Sequence, residues 1–429
     1  MSSGATSQIN SNEDVVFFLN PQITYFKSVY RKHTKFSINE SEEFSDGNDF
    51  FNTNEIIINI GIKGDLLSEI SMKMVVDDTT GINVTSTNFI PYNIGSHLID
   101  VINFKIENRG VESLDHRYLD IMGMLNNEKP MKAEYNIIND ELVCLNGNNY
   151  QRNTLSGGIP KYTTGNNLKK LTSITPLPFS FTRSTGTAIP IFMLSNRNTP
   201  KIEIKKKQTL SDLVSANLEK FKFSLVCKYI TLSEEEKYRF QSSDQEYLLE
   251  KVKLPSDHNI SIEQDGGLIS LKNRVPNLPI KSIFIYNNSD IIDDSVTKLI
   301  YSKMNYEFFI RGVNLYSEPI PHEYFSKVNL LENFNYCDGI HNGNNDTSNI
   351  NNNIAYINFS LKETEGPSGS INTGLNDLTF RCSFNPKTPK TLQTTSENLG
   401  DNVTLELYIV YYCLIRFKTD GTFMYPYGG

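Results

Sequence analysis

The chain has no tryptophan, five cysteines in 429 residues, and no apolar run long enough to cross a membrane as a helix. Its longest uncharged apolar stretch, residues 407–415, is about half the length such a helix needs. Cys144, Cys227, Cys337, Cys382 and Cys413 are odd in number and lack paired spacing. That argues against a disulfide framework or a zinc cluster and for a reducing, cytosolic folding environment. A basic excess is missing as well: 41 Lys and Arg stand against 49 Asp and Glu, a net charge of −8. A general nucleic-acid binder needs a basic face to displace counterions, so no direct nucleic-acid binding is expected. The opening MSSGATSQINSNED carries neither the basic start nor the apolar core of a signal peptide.

Chemistry is equally thin. The histidines at 33, 97, 116, 258, 322 and 341 form neither an HxH nor an HExxH pair. Gly366-Pro367-Ser368-Gly369-Ser370 lacks the Gly-Lys-Ser/Thr ending of a phosphate loop and is not G-x-S-x-G, so it reads as a turn between strands. Asp77-Asp78 and Asp293-Asp294 read as solvated loop acids, and Lys205-Lys206-Lys207 as a charged strand end that blunts edge pairing. No catalytic, cofactor-binding or metal-ligating residue is expected, and no enzymatic activity.

What the chain does have is aromatics, with 22 Tyr and 25 Phe, and many short runs of β-branched and aromatic residues. Strands are expected at 36–44, 55–62, 66–76, 98–106, 174–182, 188–194, 201–207 and 221–230. In the second half they fall at 260–271, 280–286, 302–310, 354–361, 378–384 and 403–417. Helices are expected at 114–124 and 321–331. Asn20-Pro21 opens a short amphipathic helix over 20–33, with Ile23, Phe26, Val29 and Tyr30 on one face. The Asn-rich segments 126–173 and 333–353 read as surface insertions.

The stretch 221–254 organises the rest as strand, short helix and strand. Ser233 and Glu236 have capping-box spacing, with acids in the first turn and bases in the last. A helix so specified is expected to set the angle between two β domains. An internal echo points to duplication. INFKIENRGV (102–111) aligns without gaps to MNYEFFIRGV (304–313), and a helical segment with His and Tyr follows each.

Five blocks carry a resemblance. NPQITYFKSVYRKHTKF (20–36) closely resembles the N-terminal motif of major capsid proteins of nucleocytoplasmic large DNA viruses. PLPFSFTR (176–183) with Gly186 and Ala188-Ile189-Pro190 is similar to that family's PLPFWF-x-R block. YITL (229–232), EEKYRF (235–240) and EYLLE (246–250) resemble its connector. FSL (359–361) with GPSGSIN (366–372), and YYCLIR (411–416) leading to Tyr425, resemble its last two blocks. Ser180 stands where the family has Trp, and Asn372-Thr373-Gly374 where it has NFS.

The resemblance implies an all-β chain of two consecutive eight-stranded jelly rolls, a double jelly roll with short helices in its loops. It divides into an N-terminal arm 1–32, a first jelly roll 33–231, a connector helix 232–244 and a second jelly roll 245–429. It further implies a capsid protein whose homotrimers, pseudo-hexameric in outline, tile an icosahedral shell in the virion, assembled in a cytoplasmic virus factory of the host. Partners would be other copies of the chain, neighbouring capsomers and, through the N-terminal segment, minor capsid proteins and an inner membrane. Two other roles suit jelly rolls. One is a scaffold or minor paralogue that shapes an immature particle on a membrane, and the other is a carbohydrate-binding or cupin-type protein.

Overall fold

A computed structural model describes residue 26 and residues 32–45, 55–83, 99–125, 134–136, 141–145, 167–194, 199–206, 221–255, 260–262, 267–270, 278–287, 304–334, 354–361, 363, 366–373, 378–384 and 403–427. Residues 1–36 and 37–429 form separate compact units. In the first, Phe26 is exposed and the His33 and Phe36 rings lie 5.7 Å apart. The helix expected over 20–33 falls almost wholly outside the described residues.

Among the described residues, sixteen of the strands carry the fold, eight in each half. The first half contributes β1 (Phe36–Phe44), β2 (Glu55–Asn59), β3 (Leu66–Asn83), β4 (Ile99–Ile106), β5 (Arg109–Asp115), β6 (Asn167–Pro176), β7 (Pro200–Lys206) and β8 (Phe221–Leu232). They form two sheets, ordered β1-β8-β3-β6 and β2-β7-β4-β5. The second half contributes β9 (Gln245–Lys253), β10 (Gly267–Ser270), β11 (Pro279–Asn287), β12 (Met304–Ile310), β13 (Val313–Asn314), β14 (Ile354–Asn358), β15 (Leu378–Phe384) and β16 (Val403–Phe417). Their orders are β9-β16-β11-β14 and β10-β15-β12-β13. Adding eight to every label turns the first pair of sheets into the second. Each half is a jelly roll, and the fold is a double jelly roll.

Side-chain alternation shows why these segments are strands. In β2, Ile56 and Ile58 are buried while Glu55, Ile57 and Asn59 face out, the period of a half-covered sheet. β16 differs because both of its faces are covered. Leu407 and Ile409 enter the core of the second roll, and Tyr408 and Val410 join the cluster that continues into the first. The long apolar run at 407–415 is therefore a strand buried on both sides.

Among the described residues three α-helices interrupt the strands: α1 (His116–Leu125), α2 (Glu234–Gln241) and α3 (Asn329–Phe334), the last entered through a wide π turn at Tyr324–Val328. α2 lies between β8 and β9. Its N-cap, Ser233, makes no side-chain capping hydrogen bond, so the capping box does not form. α2 buries no residue. Its ties run to the first roll, through a Lys237–Asp65 ion pair at 3.2 Å and Phe240 against Phe192.

Several strands differ from expectation for backbone reasons. The strand expected at 174–182 ends at Pro176, because Pro176 and Pro178 have no N–H for the ladder, and a 3₁₀ turn follows at Ser180–Thr182. At 188–194 only Ile189–Pro190 pairs, before another 3₁₀ turn. The segment 260–271 divides into Ile260–Ile262 on β16 and β10 in the opposite sheet. The insertion 126–173 contains Glu134–Asn136 and Glu141–Leu145, which extend the first sheet from the edge of β6. An open edge supplies the backbone partners that composition does not advertise.

The internal echo falls on equivalent hairpins, β4–β5 and β12–β13, with a shift at the turn. Arg311-Gly312 are the turn itself, both at positive φ as a type I′ hairpin requires. Their sequence counterparts Arg109-Gly110 already belong to β5, after a turn at Glu107-Asn108.

Candidate functional site at the junction of the two rolls

Among the described residues no group of three or more His, Cys, Asp or Glu is arranged to hold a metal ion. The buried polar chemistry gathers instead where the rolls meet.

The PLPFSFTR block builds one side of it. Phe179 and Phe181 stack with ring centres 5.7 Å apart, and Phe104 of β4 packs on Phe181 at 4.9 Å. The Thr182 hydroxyl donates to the Leu177 and Phe179 carbonyls at 3.1 and 2.9 Å, closing the 3₁₀ turn. Phenyl rings thus hold the turn in the first roll, and the next residue, Arg183, reaches the second. Its Nη1 donates to Glu250 Oε2 of β9 at 2.7 Å, and its Nη2 to the Tyr118 hydroxyl of α1 at 2.8 Å.

Glu250 is shared. Its other oxygen accepts from Lys281 Nζ of β11 at 2.8 Å. Lys281 is fully buried and also donates to the Glu363 backbone carbonyl at 2.7 Å. The Glu363 carboxylate accepts from the Tyr356 hydroxyl at 2.7 Å and lies 3.7 Å from Arg183. Burial pushes the Glu363 carboxyl up, against the pull of Lys281 and Arg183. An ammonium with no exposure is tolerated only because carboxylates and a carbonyl surround it.

A second cluster lies at the start of α1. Asp115 accepts from the Tyr118 backbone N–H at 2.8 Å and from the Tyr408 hydroxyl at 2.7 Å. Arg117 is ion-paired with the buried Glu406 of β16. The Tyr118 ring stacks on Tyr408 at 5.9 Å and meets Phe284 edge-on at 6.4 Å. Burial, reinforced by the nearby Glu406 charge, raises the Asp115 pKa to about 6 despite both hydrogen bonds.

A third contact joins Glu112 to the 3₁₀ turn. Glu112 Oε2 accepts from both the backbone N–H and the hydroxyl of Ser180, at 2.8 and 2.7 Å. Burial raises the Glu112 pKa. Ser180 stands where the resembled family has Trp, and its hydroxyl is the donor that a tryptophan ring in that place would have to replace through its N–H. Nearby, Lys251 Nζ lies 3.9 Å over the Tyr425 ring, and burial lowers its pKa.

Arg183 and Glu250 come from two of the resembling blocks, and the fold brings them together. Their partners Lys281 and Glu363, and the neighbouring Asp115, Arg117 and Glu406, were not singled out as site residues by the sequence. One signal for them was available: Lys281 is the lone charge of PIKSIFIYN, and Glu406 is the lone acid of the largely apolar VTLELYIVYYCLIRF. The residues weighed for chemistry are scattered. Asp77 and Asp78 lie within β3, and Lys205 and Lys206 end β7. His322 is buried against the Tyr306 hydroxyl at 2.9 Å. Gly369, at φ +151°, has the Phe359 carbonyl 3.0 Å from where a Cβ would stand, so the GPSGS segment is a turn that excludes a side chain at this position. Cys227, Cys382 and Cys413 are buried free thiols. Asp293, Asp294, Lys207, His97, His258 and His341 lie outside the described residues.

The family described as "Major capsid protein N-terminus" matches residues 24–229. Capsid protein 1 of Acanthamoeba polyphaga mimivirus is 28% identical over 290 residues, covering 63% of this chain and 46% of that protein. The major capsid protein of Pyramimonas orientalis virus is 26% identical over 249 residues, covering 58% of each. The matched region thus spans about half the length of these relatives. Among solved structures, PBCV-1 VP54 as fitted into a reconstruction of the virophage Sputnik aligns with a TM-score of 0.68 at 16% identity, covering 95% of this chain and all of that one. The first roll is thus similar in sequence to the N-terminal part of major capsid proteins, and the double jelly-roll fold of the chain is that of PBCV-1 VP54.

Proposed function

We propose that this chain is a structural shell protein, which assembles as homotrimers of pseudo-hexagonal outline and tiles an icosahedral virion shell. The observation that carries the reading is one strand order repeated in two rolls that share a buried, charge-paired junction. Two like domains held rigidly in one chain give a trimer six similar faces, which suits lateral contacts in a flat facet. In this reading the chain divides into an arm 1–32, a first roll 33–231, a connector 232–244 and a second roll 245–429. The buried groups at the junction serve cohesion, and the protein catalyses no reaction. The arm, amphipathic by pattern through Ile23, Phe26, Val29 and Tyr30, meets minor capsid proteins or an inner membrane. Assembly takes place in a cytoplasmic virus factory.

The test is light scattering on a size-exclusion peak of the purified chain, with micrographs of the same fraction. About three times 48.8 kDa and particles of hexagonal outline are expected. A stable monomer at micromolar concentration overturns the tile. Recovery of the protein from immature particles alone, and never from finished virions, assigns it to the scaffold role.

A further inference from the structure

Lys281 is the lone charge of β11, and the backbone treats it as a special position. The pairing of β11 with β16 shifts register between Ile280 and Ser282, so Lys281 stands at a bulge. Bulges re-aim a side chain out of the alternation of a strand. Here the bulged residue is a lysine with no exposure at all. The two carboxyl groups that meet its Nζ are not equivalent. Glu250 Oε1 is in direct hydrogen bond at 2.8 Å, and Arg183 holds the other Glu250 oxygen. Glu363 Oε2 stands back at 3.5 Å from the same Nζ, unbonded to it. Burial raises the Glu363 pKa, which favours the neutral acid, a carboxyl with a hydroxyl to lose. The Tyr356 hydroxyl donates to Glu363 Oε2 at 2.7 Å, and Arg183 Nη1 lies 3.7 Å from Oε1. Tyr356 is itself buried, with its ring 4.9 Å from that of Phe284, so aromatic surface borders the group.

We propose that Lys281 condenses with the Glu363 side chain to an amide, an internal cross-link between β11 and the segment that follows β14, formed in the folded chain. A nucleophile, an acyl group, a base and donors for the developing oxyanion are all in place. Glu250 takes a proton from Lys281 Nζ, and the freed lone pair attacks Glu363 Cδ. The attack starts from near contact, about the 3–3.5 Å from which such bonds form, so no encounter has to be waited for. Tyr356 and Arg183 stabilise the negative charge that develops on the Glu363 oxygens, in a site where water does not screen it. The N–C bond forms, the C–O bond breaks, and the Glu363 hydroxyl departs. Of the ammonium hydrogens, one goes to Glu250, one leaves with the hydroxyl as water, and one stays on the amide nitrogen. No oxidant, metal or cofactor enters the balance. The event occurs once per chain and turns nothing over, and it requires nothing of the oligomeric state. The cross-link ties residue 281 to residue 363 and so constrains the unfolded chain as well as the folded one.

The experiment is intact-mass spectrometry of the purified full chain under denaturing conditions, followed by peptide sequencing of a digest. The wild type is expected to be lighter than its sequence by one water, with a branched peptide that joins Lys281 to Glu363. Lys281→Met removes the nucleophile and Glu250→Gln the base, and both are expected at full sequence mass. The wild-type measurement needs no variant to fold. A folded wild type that keeps its full mass through prolonged incubation at neutral pH overturns the cross-link, and so does a water loss that maps to other residues. A light Glu250→Gln chain carrying the same branched peptide overturns the assignment of Glu250 as the base.

Discussion

Arg183 of the first roll and Glu250 of the second meet at 2.7 Å, and Lys281 takes the opposite oxygen of the same carboxylate at 2.8 Å. One carboxylate therefore joins a cation from each roll. Replacing such a buried cluster with well-packed apolar side chains often costs little, but removing a single member strands the others. The junction specifies one relative placement of the rolls more than it adds net stability.

Arg183→Met should lower stability by about 2–4 kcal/mol, less than for a sealed pair because 21% of the Arg183 side chain reaches solvent. Arg183→Lys should recover part of this, since a single ammonium cannot serve Glu250 and the Tyr118 hydroxyl together. Urea melts of the three proteins check it, and a loss under about 0.5 kcal/mol for Arg183→Met would show the pair to be incidental.

Asp115 gives the junction a pH dependence of known sign. Its pKa is about 6 in the folded chain against 3.8 for the free carboxyl, so the native state holds the proton more tightly. Its contribution to stability is greatest below pH 4 and is lost as pH rises through 6, by at most about 3 kcal/mol. Glu42 and Glu203 act in the opposite sense, because the net effect of their lysine and serine partners is to lower their pKa values despite burial; their support is lost as pH falls. The stability of the wild type relative to Asp115→Asn should therefore decline between pH 4 and pH 6.5. A constant difference across that range would refute the assignment.

Ser233→Ala should change stability by less than about 0.5 kcal/mol, because the hydroxyl caps nothing in the structure. Asp65→Ala should cost about 1–3 kcal/mol. That carboxylate is nearly buried, accepts from the Leu232 N–H at 2.7 Å and pairs with Lys237. Thermal melts of the two variants side by side decide which residue holds the connector.

A Gly-Ser insert between Gln241 and Gln245 should leave both strand content and trimer intact. α2 buries nothing, while the junction binds the rolls through Arg183, Glu250 and Lys281. Trimer loss on insertion, seen by light scattering, would return the control of geometry to the helix.

Gly369→Ala should destabilise the second roll by about 1–3 kcal/mol, through its positive φ and the close Phe359 carbonyl. Calorimetry measures it, and an unchanged melting temperature would contradict the tight turn.

The sequence by itself determined most of the strands, the connector helix and the resemblance to capsid proteins. Alternation such as EIIIN reports a half-covered sheet, and an unbroken run such as LYIVYYCLI reports a strand covered on both faces. Both are local signals, carried by residues close together in the chain. The echo between 102–111 and 304–313 likewise marked equivalent hairpins, though only the backbone showed that Arg311-Gly312 form the turn and Arg109-Gly110 do not. The tertiary structure alone decided the junction. Arg183, Glu250, Lys281 and Glu363 lie far apart along the chain, and each reads singly as an ordinary charge. Their meeting depends on how two completed rolls are set side by side. The same placement covers Tyr118 of α1 while Tyr324 in the second roll stays 39% exposed.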